Sequence, residues 1–233
     1  MFKKMWNLKY LSALLVIPAI VYVPVLLTGN KTSPVIEHNP WLQVLIAGVT
    51  YIPVFFLAIF YWSDGILKPD WKKWREKWIS RFIIAFSTAA FMLVLIVPLA
   101  RFLGNTLAPY VSMSAAAFFT QNLPTILLML IPLLSAFTEE IVYHHALIEP
   151  FADSKWQYLV MSLVSNVMFT LIHINNADWK LSNLIMYFLL GVVFQVIYMF
   201  SHKNIWQNIM THLIYNSFIA VPTAIIMLVT AFM

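Results

Sequence analysis

The chain is organised as a series of long apolar segments separated by short polar ones. Apolar runs of about 20 residues recur along it, and a helix of that length crosses a hydrocarbon layer of ~30 Å. The runs predict helices at roughly 10–29, 41–62, 81–103, 124–148, 156–176, 181–200 and 205–229. A break near Pro222 would divide the last run and give eight helices instead of seven.

The pattern of the runs indicates helices rather than strands. Lipid offers no partner to open backbone groups, so membrane-spanning segments are helices or closed barrels. The runs lack the period-two alternation that a membrane barrel requires. The predicted fold class is therefore all-α, a polytopic transmembrane helix bundle, with 1–233 as a single integral membrane domain.

Composition agrees with a membrane domain and excludes some chemistry. Hydrophobic residues make up 62% of the chain, charged residues only 10%, and mean hydropathy is +0.83. A soluble domain has about 25% charged residues. There are no cysteines, which excludes disulfides and thiolate catalysis. The run at 9–29 is too long for the apolar region of a signal peptide, so we predict that it is a retained first helix.

Lysine and arginine are distributed unevenly between the two ends of the predicted helices. Eleven lie at the N-terminus and in the loops on its side of the membrane, against Lys31, Arg101 and Lys180 on the other side. Because positive loops stay inside, we expect a cytoplasmic N-terminus. In the basic 63–80 loop, Trp71, Trp74 and Trp78 recur at helical spacing, which predicts a short helix lying on the inner leaflet with one aromatic and one basic face. The aromatic face would anchor the helix in the lipid or, alternatively, form a substrate-docking surface.

A pair of carboxyl groups stands inside the fourth predicted helix. Ionisable residues there cost about 2.5–3.5 kcal/mol to insert, so they need a reason to be present. His144 follows Glu140 by four residues, and the two can pair on one helix face. Glu139 points about 100° away and stays available as a general base. A single Glu could be a paired structural group, but two in a row, followed by two His, argue against that reading.

Two further polar motifs lie in later helices. His173 follows Phe169 by four residues, and Asn216 follows His212 by four, so each motif occupies one helix face. Taken singly, each His would more often be a hydrogen-bonded interior residue. We expect Asn166 to make an interhelical hydrogen bond.

These motifs could converge in the bundle and supply the parts of a hydrolytic site. A carboxylate could activate water while imidazole and amide groups stabilise an oxyanion. Glu139, His173 and His212 could equally form a zinc site with an open position for water, so zinc is a possible cofactor and none is certain. HExxH, GxSxG and Gly-Asp motifs are lacking, which removes three other routes to proteolysis.

The ordered motifs resemble the signature of the CPBP (Abi) family. That family comprises type II CAAX-prenyl endopeptidase-like and bacteriocin-processing or immunity-associated membrane proteins. The resemblance covers about 120–230, which we interpret as a catalytic core, and it depends on the order of the Glu pair, Phe169-x-x-x-His173 and His212-x-x-x-Asn216. It implies an intramembrane endopeptidase of a bacterial cell membrane.

The resemblance also implies a role for each motif residue. Glu139 would activate water with help from His173, while His212 and Asn216 would stabilise the oxyanion. Glu140 would be a supporting carboxylate. The expected partners are the lipid bilayer and a membrane-associated protein or peptide as substrate, with no nucleic acid.

One position departs from the family pattern. The family's first motif is EExxxR, whereas this chain has His144 where Arg is expected, followed by His145 where a small residue is usual. Arg is always charged and forked, whereas His pairs with Glu140 as an ion only when protonated. The departure leaves open a non-catalytic bacteriocin-immunity or regulatory protein on the same scaffold. A proton-coupled transporter is a third alternative, although the chain lacks the broken, repeated halves typical of one.

Overall fold

All regular structure in the described part of the chain is helical. The computed structural model describes residues 9, 12–19, 22, 39–104, 123–174, 177 and 180–231. Within them the α-helices are α1 (Pro40–Leu57), α2 (Leu67–Glu76), α3 (Trp78–Phe91), α4 (Val97–Gly104), α5 (Leu123–Glu139), α6 (Lys155–Leu171), α7 (Leu181–Phe200) and α8 (Ile205–Ala231). The predicted all-α fold is confirmed. Most of the first predicted helix, 10–29, lies outside the described residues, but 12–19 are helical.

Three of these helices contain or continue into a π-helical turn. The π turns are Ala58–Trp62 after α1, Met92–Ile96 between α3 and α4, and Glu140–Ala146 after α5. Because these π turns continue the helices they adjoin, each of the runs predicted at 41–62, 81–103 and 124–148 forms one continuous helix. The break considered near Pro222 does not occur, because α8 continues through that residue to Ala231.

Three described helices have the length and apolar composition needed to cross a membrane. They are Trp41–Trp62, Trp78–Gly104 and Leu181–Phe200. Their outward faces carry large apolar side chains such as Phe60, Phe102 and Phe200, each about 80% exposed. Exposing such a surface to water would be unfavourable in free energy, whereas lipid solvates it. The chain is therefore an integral membrane protein.

The predicted surface helix forms as α2, but two of its tryptophans face the protein. Trp74 is buried, and its indole N–H donates to Gln207 Oε1 at 3.2 Å. Trp71 stacks on Trp74 and contacts Trp206 of α8. Only Trp78 is exposed as expected. The prediction of a lipid-facing aromatic face was wrong because the start of α8 packs against α2.

An acidic side chain explains this packing. Asp70 of α2 is buried, and its Oδ2 accepts a hydrogen bond of 3.1 Å from the backbone N–H of Ile205, the first residue of α8. A helix N-terminus has unpaired N–H groups and a partial positive charge, both of which a carboxylate satisfies. Asp70 therefore fixes the beginning of the helix that carries His212.

Helices α6 and α7 approach closely at a glycine. A Cβ added to Gly191 would stand 1.9 Å from Asn166 Oδ1 and 2.9 Å from Phe169 Cδ1. The Asn166 amide group donates to the Phe188 carbonyl at 3.2 Å, which confirms the expected interhelical hydrogen bond. Gly191 thus allows the contact that brings α6, and with it Phe169, against α7.

We predict that Gly191→Ala destabilises the protein. The new methyl group would force α6 and α7 apart, and overpacking of this kind costs about 1–3 kcal/mol. Thermal unfolding in detergent measures the effect. Gly48→Ala in α1 is the matched control, since its nearest neighbour would be Ile52 Cδ1 at 3.8 Å. Equal melting temperatures for the two variants would contradict the predicted close contact.

Candidate active site

The polar residues predicted from the motifs gather where the π turn of α5 meets α6 and α8. Every residue of the π turn Glu140–Ala146 is buried. π turns often occur at functional sites, because they interrupt the regular helical register. Glu139 precedes the turn and is 8% exposed, whereas Glu140 begins it and is 0% exposed. The two adjacent carboxylates thus have different surroundings.

Glu140 is surrounded by hydrogen-bond donors. Its Oε1 lies 2.7 Å from His212 Nδ1, and its Oε2 lies 2.8 Å from His144 Nδ1. The Asn208 amide group donates to Oε2 at 2.9 Å. The predicted pairing with His144 across one helical turn is therefore present as a close contact. An ionised carboxylate buried in a membrane protein needs compensation of this kind.

Asn208 was not predicted from the sequence. It is completely buried, and its amide nitrogen donates both to Glu140 and to the Phe194 carbonyl of α7 at 2.9 Å. It links α5, α7 and α8. The available signal was its position four residues before His212, which places both side chains on one face of α8.

Glu139 lies between two imidazole rings without bonding to either. Its Oε2 is 3.8 Å from His173 Nε2 and 3.9 Å from His212 Nε2. This oxygen is buried and has no hydrogen-bond partner among the described residues. The separations are too long for hydrogen bonds.

In both imidazole rings, Nδ1 contacts a hydrogen-bond acceptor. That contact determines whether Nε2, the nitrogen that faces Glu139, donates or accepts a hydrogen bond. His173 Nδ1 lies 2.8 Å from the Phe169 carbonyl, which only accepts, so Nδ1 carries the hydrogen. In neutral His173 the nitrogen facing Glu139 is then an acceptor. His212 Nδ1 faces the Glu140 carboxylate and likewise donates. A carboxylate at this distance favours the imidazolium form of His212, whose Nε2 is then a second donor.

Aromatic rings pack around these groups. Phe169 contacts the rings of His173 and His212, with centroids 4.9 and 6.4 Å away. Phe194 stacks on His212 at 4.5 Å, and Tyr187 stacks on His173 at 4.2 Å. These contacts hold both imidazoles in place and keep the surroundings of Glu139 largely apolar.

Two predicted polar residues lie apart from this centre. The Asn216 amide nitrogen donates to the Pro132 carbonyl of α5 at 2.7 Å, so at present it joins two helices. An amide nitrogen carries two hydrogens, and the second could still serve an oxyanion. His145 turns to the opposite side, where its Nδ1 lies 3.2 Å from the Tyr198 hydroxyl.

The boundary of α6 explains how Glu139 and His173 meet. On the predicted boundaries, 124–148 and 156–176, Glu139 would lie toward the cytoplasmic side and His173 toward the outer side, unless the first of these helices began later or the second tilted or entered the membrane short. Helix α6 ends at Leu171 rather than near 176, and His173 lies in the turn that follows. The shorter helix brings its ring within reach of α5.

The residues considered for zinc do not form a ligand set in the described chain. No group of three or more His, Asp or Glu among those residues has the geometry to hold a metal ion. Glu139, His173 and His212 nevertheless have nitrogen and oxygen atoms of the type that zinc binds. The donor chemistry suits zinc, whereas the present geometry is not that of a metal site.

The fold and the site define an all-helical membrane protein with a buried Glu–His centre. Residues 120–218 match the family model for type II CAAX prenyl endopeptidase Rce1-like proteins. The match covers the segment that carries all of the motifs, and it supports the CPBP family indicated by their order. Comparisons with curated proteins and with solved structures find no significant match.

We predict that the two carboxylates differ in their contribution to stability. Glu140→Gln should lower the free energy of unfolding by about 1.5–3 kcal/mol, the usual contribution of a hydrogen bond to a charged group. Glu139→Gln should leave it nearly unchanged, because Oε2 has no partner to lose within the described chain. Thermal unfolding of both purified variants provides the test. Equal losses would show that the surroundings of the two groups do not differ as described.

Proposed function

We propose that the protein is an intramembrane endopeptidase that cleaves a membrane-associated protein or peptide. The observation that carries the proposal is the buried Glu139 Oε2, which lies 3.8 and 3.9 Å from two imidazole nitrogens and has no hydrogen-bond partner among the described residues. In the proposal this oxygen accepts a proton from a water held among the three atoms. The family match supports hydrolysis of a peptide bond as the reaction.

In the proposed reaction, Glu139 takes a proton from water while the water oxygen attacks the carbonyl carbon of the substrate. Neutral His173 accepts a hydrogen bond from the water through Nε2 and orients it. His212 donates from Nε2 to the carbonyl oxygen as negative charge develops there. When the C–N bond breaks, the proton on Glu139 passes to the leaving amine, which restores the carboxylate.

Glu140 has a supporting role in this proposal. Its oxygens are occupied by His144, Asn208 and His212, so it cannot also accept a proton from water without losing those contacts. It orients His212 and favours the charged ring. His144 takes the place of the family's Arg as the group that holds the second oxygen. The close His144–Glu140 contact favours catalysis over the non-catalytic, immunity-type reading.

The substrate and the membrane orientation are further parts of the proposal. We expect the substrate to reach Glu139 from the lipid, because the groups around the site are aromatic or apolar. The basic side chains of α2, including Lys72, Lys73 and Arg75, are exposed and suit an anionic cytoplasmic leaflet. On this basis we propose that the N-terminus lies in the cytoplasm and that the protein resides in a bacterial cell membrane.

We predict that Glu139→Gln removes proteolysis and leaves a folded, membrane-inserted protein. The amide keeps the shape of the side chain but cannot act as the base, and general-base catalysis contributes about 10²–10⁴-fold to the rate. The measurement is cleavage of two quenched fluorescent peptides in detergent, identical except that one has a farnesylated C-a-a-X end. Turnover of the variant equal to that of the wild type would refute the role of Glu139. Cleavage of neither peptide by the wild type would favour the immunity-type alternative.

We predict that activity does not depend on zinc. In the proposed reaction Glu139 and the imidazoles handle the proton and the charge, and Asn216 is placed as a hydrogen-bond donor one turn from His212 rather than as a ligand. Elemental analysis of active protein should show less than one equivalent of zinc, and chelation should leave turnover unchanged. One equivalent of bound zinc, with activity lost on chelation and restored by zinc, would overturn this prediction.

A further inference from the structure

The hydroxyl group of Tyr143 is a buried polar group beside the Glu–His centre to which the mechanism above gives no role. Tyr143 belongs to the π turn after α5 and is 1% exposed. Its hydroxyl is buried and has no hydrogen-bond partner in the part of the chain that the structure describes. Leaving a buried hydroxyl unpaired costs free energy, so its presence needs a reason.

Position along the helix directs Tyr143 toward Glu139. Tyr143 follows Glu139 by four residues, as His144 follows Glu140, so the two pairs occupy neighbouring faces. The Tyr143 ring also packs against Phe169, whose ring contacts both imidazoles of the site, so Tyr143 adjoins the site. The hydroxyl makes no hydrogen bond to Glu139, so its proton remains available to a third group.

Other contacts hold Tyr143 in place without its hydroxyl. The backbone carbonyl of Tyr143 accepts a hydrogen bond from the Ser165 hydroxyl of α6. Its ring packs edge-on against Phe169, with centroids 6.0 Å apart. A phenylalanine at 143 would preserve both contacts. The hydroxyl is therefore not required for packing.

The proposed reaction assigns one donor to the oxyanion, His212 Nε2. The Asn216 amide nitrogen has one of its two hydrogens engaged with the Pro132 carbonyl, so a further donor close to the base would strengthen the site. Hydrogen-bond donors placed before the reaction stabilise a developing oxyanion strongly, and tyrosine hydroxyls can fill this role. A neutral phenol close to the base, with its hydrogen unengaged, has the required chemistry.

We propose that the Tyr143 hydroxyl donates a hydrogen bond to the substrate carbonyl oxygen as it becomes an oxyanion. This inference rests on the proposed endopeptidase function and adds a catalytic residue to it. No proton is transferred to or from Tyr143. Water adds to the carbonyl carbon, Glu139 holds the proton, and Tyr143 and His212 share the negative oxygen until the C–N bond breaks.

The test is Tyr143→Phe, with cleavage and stability measured on the same preparation. Loss of an oxyanion donor should lower kcat by about 10²–10³-fold and leave KM nearly unchanged. The melting temperature should stay the same or rise, because an unpaired buried hydroxyl has been removed. A purely structural tyrosine would give the opposite result, with stability and activity falling together.

Tyr158→Phe is the matched control. It also removes one hydroxyl, but that hydroxyl accepts from Gln195 at 3.3 Å in a different part of the bundle. This variant should retain wild-type kcat. If the wild type cleaves the fluorescent peptide and Tyr143→Phe has the same kcat, the role of Tyr143 is refuted and the endopeptidase function stands. If the wild type cleaves neither peptide, both the endopeptidase function and the role of Tyr143 are refuted. If the melting temperature of Tyr143→Phe falls together with its kcat, the oxyanion role is refuted.

Discussion

The site depends on the burial of one carboxylate, that of Glu140. A charged group without access to water must be compensated by groups already in place, and here the compensation comes from His144 on the same helix and from Asn208 and His212 on α8. These contacts fix the rotation of α5 relative to α8. They also turn the far nitrogen of His212 toward Glu139, so the geometry around the available carboxylate follows from the constraint on the buried one.

Adjacent positions on a helix allow the two carboxylates to have different surroundings. Side chains one residue apart point about 100° away from each other, so Glu140 faces its donors while Glu139 faces the ends of His173 and His212. Had the carboxylates been one turn apart, both would have faced the same groups and competed for them. Two consecutive Glu residues thus give one carboxylate with several close polar contacts and one whose Oε2 has no hydrogen-bond partner in the described part of the chain.

Sequence reasoning found the helices and the motif residues because both leave strong local patterns. Apolar runs of membrane length are distinctive, and Glu or His inside them is rare enough to stand out. Asn208 was not predicted because an Asn within a helix can have many roles that are unrelated to a functional site. The packing of Trp71 and Trp74 against other parts of the protein was missed because periodicity shows that residues share a face, not whether that face meets lipid or another helix. The end of α6 at Leu171 and the hydrogen bond from Asn216 to Pro132 depend on tertiary packing, which a single sequence does not display.

The π turn that begins at Glu140 has a consequence for how such a site can change over evolutionary time. A π turn accommodates one more residue than the α turn it replaces, so one inserted codon suffices to create it and one deletion to remove it. The turn separates the register of the helix before it from that of the buried segment after it, which includes Leu147, Ile148 and Phe151. A single insertion or deletion during evolution could therefore rotate the two carboxylates relative to the buried segment after the turn. The apolar residues that pack the helix before the turn and the segment after it would not need to change.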